Sequence, residues 1–169
     1  MELGIPHFLP AAFYDLSRYG PSKIVEGAKI QEDEVITLSL PLISRTCRGR
    51  QLAQEFLAHF VLLKRSPSQA CSSRARCAQS LYYIKLNLLR AIDGLAAGRD
   101  ADPLFTLLQA VEMLDRDDFE TASGNAKSGL NICEHCKIMF TEECSQKRAE
   151  TWQSIPQWFN FAFGDEQDC

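Results

Sequence analysis

Apolar residues recur at three- and four-residue intervals through most of this chain, and period-two alternation is confined to the short stretch Glu34 to Leu38. A period near 3.6 places such residues along one face of a helix, so the pattern predicts an all-α fold. The clearest run is Cys77, Leu81, Ile84, Leu88, Ile92 and Leu95, expected to start at a Ser72 or Ser73 cap and stop at Gly98. Asp102-Pro103 reads as an N-cap with proline at the first helical position, followed by Leu104, Leu107, Leu108, Val111 and Leu114.

The remaining segments give weaker signals. Pro10 opens a short helix carrying Ala11, Phe13, Leu16 and Tyr19, which Gly20-Pro21 should end. Ser22 to Asp33 reads as a polar connector. Ser39 is the expected cap of a segment whose core-facing stripe is Ile43, Cys47, Leu52, Phe56, Phe60 and Leu63. Gly49 interrupts that run at a cost of about 1 kcal/mol relative to alanine, which leaves one helix or two abutting ones equally open. Asp117 to Gly129 reads as a loop. A last helix is expected over roughly Cys133 to Trp152, with Cys136, Phe140 and Cys144 inward. Ser154 then caps a short Pro156-Gln157-Trp158-Phe159 turn that folds two aromatics back, so that the cluster Trp152, Ile155, Trp158 and Phe159 is expected to pack against the bundle. Residues 1–169 are thus expected to form a single irregular multi-helix domain: a short helix and connector over 1–38, a helical core over 39–163 and a disordered tail over 164–169. Its core should hold Leu81, Ile84, Leu88, Leu107, Val111 and Phe140.

A chain of 169 residues with 46% hydrophobic and 24% charged content can bury such a core unaided. The net charge of −4 gives no general pull toward nucleic acid or an anionic membrane. The charge is unevenly spread, with nine Lys/Arg between Arg45 and Arg90 against one acid, Glu55. Solvated helix faces explain this run; a phosphate- or nucleic-acid-binding surface is the alternative. No apolar stretch approaches the ~20 residues of a membrane span, and no secretory leader pattern is visible. Seven cysteines, an odd number, then suggest reduced thiols and an intracellular setting, cytoplasm or nucleus.

Catalytic signatures are absent: there is no glycine-rich phosphate loop, no GxSxG elbow and no paired-histidine zinc motif. A cysteine-dependent enzyme built from Cys133, His135 and a carboxylate is conceivable only through spatial pairing. The chain therefore reads as a non-catalytic protein that works by binding a protein partner. Its sharpest feature is Cys133-x2-Cys136 at a helix start, matched by Cys71 and Cys77 around the start of another. Four thiolates at tetrahedral corners would close a structural Zn²⁺ site. Cysteine is also commonly buried without any metal, so plain buried thiols compete with that reading. Cys47 and Cys144 fall on core stripes and need no further role.

Four segments, taken in order, resemble the helical region that follows the BTB/POZ domain in fungal BTB-domain proteins. They are Ile5 to Ser17, Arg48-Gly49-Arg50, Asp102-Pro103-Leu104, and Cys133-x2-Cys136 through Arg148, Trp152, Ile155-Pro156 and Trp158-Phe159. The resemblance implies an accessory helical region beside a dimerising or recruiting domain, and cysteines at positions 71, 77, 133 and 136. The BTB domain itself is missing from this sequence, which implies a truncated product or a protein without its dimerisation module.

Overall fold

The computed structural model describes residues 8–31, 34–89, 98–120 and 127–161. Among the described residues six α-helices dominate: α1 (Leu9–Ser17), α2 (Pro21–Glu26), α3 (Leu40–Leu62), α4 (Arg74–Leu89), α5 (Pro103–Glu112) and α6 (Glu134–Trp158). Two small antiparallel pairs join them, β1 (Ala28–Gln31) with β2 (Glu34–Ile36) and β3 (Phe119–Glu120) with β4 (Lys127–Ser128). The fold is all-α, as the periodicity predicts. Residues Ile92 and Leu95 of the α4 stripe, and the expected tail at 164–169, lie outside the described residues.

Two core clusters share α3 and α6. The larger gathers Leu57, Phe60, Leu81, Ile84, Leu88, Leu107, Phe140 and Cys144. The smaller gathers Phe13, Tyr14, Ala53, Ile155, Trp158 and Phe159 at the other end of α6. Of the expected core, Val111 alone is only half-buried; it packs against the larger cluster.

Several expectations need correction. The segment read as a connector holds α2, opened by Pro21 at its first turn, and β1. Proline ends one helix and begins the next, because its fixed φ suits a first turn. The loop over 117–129 contains the β3–β4 ladder. Helix α3 is a single helix through Gly49, and its buried face is Thr46, Gly49, Arg50, Ala53, Leu57, Phe60 and Val61. The expected stripe is thus rotated, with Leu63 exposed and Ile43, Cys47, Leu52 and Phe56 half-buried. Ser39 occupies the N-cap position, yet its side chain makes no cap hydrogen bond.

The reason for the rotation is polar. Arg50 is buried because its guanidinium donates to the carbonyls of Ser17 at 2.8 Å and Tyr19 at 3.3 Å, tying α3 to the end of α1. Thr46 satisfies its hydroxyl on the Leu42 carbonyl at 2.8 Å. Buried polar groups with such partners cost little, and an apolar pattern does not register them.

Helix α6 also runs further than expected. Ser154 does not cap a new turn; its hydroxyl donates to the Glu150 carbonyl at 2.8 Å within one continuous helix. Pro156 lies in the last turn, where a missing N–H costs one hydrogen bond. The helix is stopped just past its Phe159 C-cap by Asn160, whose φ of 53° is left-handed. The N–H groups of Asn160 and Phe161 donate back to the Gln157 and Pro156 carbonyls at 3.2 and 2.8 Å, a Schellman-type cap.

At the other end of the small core, Asp102 caps α5, accepting from the Leu104 and Phe105 amides at 2.9 and 3.2 Å. The same carboxylate accepts from the Tyr14 hydroxyl at 2.5 Å and from Arg18 at 3.1 Å. One aspartate therefore fastens α1 to the start of α5.

Candidate metal centre

The four cysteines singled out above converge. The sulfurs of Cys71, Cys77, Cys133 and Cys136 all lie within 4.8 Å of one another. Three come from helix starts and the fourth, Cys71, from the turn that leads into α4. Cys133 is the N-cap of α6 and Cys136 lies in its first turn, so the C-x2-C spacing points both thiols the same way. Cys77 lies in the first turn of α4, and Cys71 precedes that helix in a turn closed by its own N–H to the Ser68 carbonyl at 3.1 Å. Cys77 and Cys136 are buried, while Cys71 and Cys133 are half-buried.

Backbone amides donate to the sulfurs of Cys77, Cys133 and Cys136. The Cys133 N–H donates to Cys77 Sγ at 3.2 Å, and the Ser68 N–H donates to Cys136 Sγ at 3.3 Å. Cys133 and Cys71 are 3.8 Å apart, sulfur to sulfur. The amides of Cys136 and Ser72 face the Cys133 sulfur and hold its thiol down to about 6. Desolvation acts the other way on its neighbours, pushing Cys136 up to about 12 and raising Cys77. Without a cation, ionisation is favoured at Cys133 and disfavoured at the buried Cys77 and Cys136. A bound cation is what would make all four thiolates compatible.

The geometry fits a tetrahedral ion. Zn–S bonds of about 2.3 Å imply sulfur–sulfur edges of roughly 3.8 Å, so no pair here is more than about 1 Å beyond the ideal. The four cysteines can thus hold a metal ion. The spacing pattern marked the thiols; it could not mark the Ser68 and Ser72 amides, because any residue type supplies a backbone N–H. Cys144 is buried in the larger core and Cys47 is half-buried on α3, and neither belongs to the cluster.

His135 is exposed, and the depressed Cys133 thiol owes its shift to backbone amides and neighbouring thiols. No family model, curated protein or solved structure matches the chain. Among the described residues no helix is long and apolar enough to cross a membrane.

Proposed function

We propose that this protein is a non-catalytic, helical protein-binding module whose fold is closed by a structural Zn²⁺ on Cys71, Cys77, Cys133 and Cys136. The observation that carries the zinc is the convergence within 4.8 Å of four sulfurs from the starts of α4 and α6 and the turn before α4. A zinc tetrathiolate has a net charge of −2, which two helix N-termini favour. The first turn of α4 supports the same reading. It contains Arg74 and Arg76 and no acid, the unfavourable sign for a helix start unless an anionic centre lies beside it. Closed four-sulfur sites leave no open coordination position, which suits a structural role rather than catalysis.

A binding role for the rest of the molecule is supported by its uncovered apolar side chains, considered below. The likeness to the region following fungal BTB/POZ domains fits an accessory scaffold of this kind. The basic stretch gives less support to a nucleic-acid surface. Arg50 is turned inward onto carbonyls, Arg65 pairs with Glu143 at 2.8 Å, and Arg45 stacks on Phe13 and Phe161.

The deciding experiment is the metal content of protein purified without chelator. We expect one zinc per chain, with a colourless protein, since iron on the same ligands would absorb in the visible. Protein free of metal under those conditions would reduce the cluster to buried thiols.

A further inference from the structure

Helix α4 is apolar on two faces. Cys77, Leu81, Ile84 and Leu88 enter the core, whereas Tyr82, Leu86 and Leu89 follow one another at four and three residues while remaining 60%, 46% and 38% exposed. One stripe accounts for the packing of the helix. The second has no such use, although large exposed apolar side chains in a row are an aggregation hazard that proteins seldom keep without a reason.

Beside this second face runs a groove of about 220 Å³, between α4 and the end of α3. Its apolar wall includes Leu63, Ala78, Tyr82 and Phe140, of which Leu63 and Tyr82 are 56% and 60% exposed. The α4 residues that line it run from Ala78 to Leu88, about 15 Å of helix axis at 1.5 Å per residue, and its volume suits one or two large apolar side chains of a second helix. Its charges are all of one sign. Lys64, Arg65 and Lys85 line it, no acidic residue does, and α4 contains no acid. Arg65 is already neutralised by Glu143. Lys64 and Lys85 pair with no carboxylate among the described residues.

We propose that the groove between α4 and the end of α3 is the docking site for an acidic amphipathic helix of a partner protein. Such a helix would lay residues at i, i+4 and i+7 against Tyr82 and Leu63 and bring Asp or Glu to Lys64 and Lys85. Charge complementarity argues for this occupant over a second copy of the chain. Two copies facing each other through the same patch would oppose basic rim to basic rim, which is unfavourable. The concave floor argues against a membrane, which would touch the rim alone. This inference rests on the protein-binding reading above, and its test separates the two.

The full chain, as purified with its metal, is used to select binders from a displayed library of random peptides of about sixteen residues. The expected binders carry Leu, Ile or Phe at i, i+4 and i+7 between acidic residues. Their affinity should fall about tenfold or more in Lys64→Glu/Lys85→Glu and weaken as salt rises. Tyr82→Ser, which leaves the charges in place, should lower affinity without changing the salt dependence. Circular dichroism and metal content check that both variants stay folded. Binders lacking acidic enrichment, or binding the double variant as well as the parent, overturn the groove while leaving a binding module elsewhere on the surface. An empty selection overturns both. Concentration-dependent dimerisation abolished by Tyr82→Ser, or equal loss of binding to phosphatidylserine vesicles in the double variant, would assign the surface to a second copy or a membrane and overturn the acidic helix.

Discussion

The Phe159 ring fills the space in which a side chain at residue 49 would have to lie. A Cβ built on Gly49 would fall 1.9 Å from Cε1 of Phe159, and Phe159 is fully buried. The glycine that looks like a flaw in α3 is the seat for the end of α6. Gly49→Ala should therefore destabilise the protein, although alanine gains about 1 kcal/mol in an exposed helix. Overpacking of this kind costs on the order of 1–3 kcal/mol or more. Chemical denaturation of Gly49→Ala, Phe159→Leu and the double variant checks it; the double variant should recover part of the loss, and simple additivity would contradict the contact.

Cys136→Ser should abolish metal binding and lower the melting temperature, whereas Cys144→Ser should keep the metal. The first removes a cluster ligand and the second a buried core thiol outside the cluster. Elemental analysis and thermal melts on both variants decide it. Equal metal content in the two would place the ion elsewhere.

Acid and alkali should weaken the protein through different thiols. The ligands must be thiolates, so protons compete with the metal and the metal-bound form should loosen as pH falls. Cys144 works in the opposite direction. Burial pushes its thiol up to about 12, so the folded state holds that proton more tightly than the unfolded chain does. Its contribution is complete below the unfolded value of ~8.5 and drains away as pH rises toward 12. Cys144→Ala should flatten the alkaline limb of stability against pH and leave metal release on the acid limb unchanged.

The two tryptophans should report separately. Trp158 is 7% exposed beside Phe56, with ring centroids 5.5 Å apart, while Trp152 is 61% exposed. The docked terminal cluster is thus Ile155, Trp158 and Phe159, without Trp152. Trp152→Phe should leave a blue-shifted emission shielded from iodide, and Trp158→Phe a red-shifted, quenchable one. Truncation after Glu150 removes the docked cluster and should cost several kcal/mol, since loss of one buried Phe or Trp side chain costs about 3–5.

Tyr14→Phe should cost on the order of 1–3 kcal/mol by depriving Asp102 of a buried donor. Asp102→Ala should cost more, because it also removes the α5 cap and the partner of Arg18. Comparable urea midpoints for the two variants would show that the cap and the arginine contribute nothing beyond the tyrosine.

Legibility in the sequence followed the chemistry of each position. The α4 stripe from Cys77 to Leu88, the Asp102-Pro103 helix start and the two cysteine pairs that cluster were all readable, because each rests on residue type at a local spacing. The facing of α3 was not. Its buried side includes threonine, glycine and arginine, and what makes them acceptable there lies far along the chain: Phe159 for Gly49, the end of α1 for Arg50. The Tyr14–Asp102 bond spans 88 positions and leaves no local trace. The continuation of α6 through Pro156 had one available sign, Asn160, a residue type that tolerates the left-handed backbone of a helix stop.

The thiol cluster also sets an order of events during synthesis. Two of its sulfurs belong to the start of α4 and the turn before it, and the other two follow 56 or more positions later. A growing chain on the ribosome has therefore completed α4, α5 and everything between before Cys133 and Cys136 exist to meet them. Until that point Cys71 and Cys77 lack the two thiols with which they cluster in the folded chain. The last quarter of the protein is what supplies them.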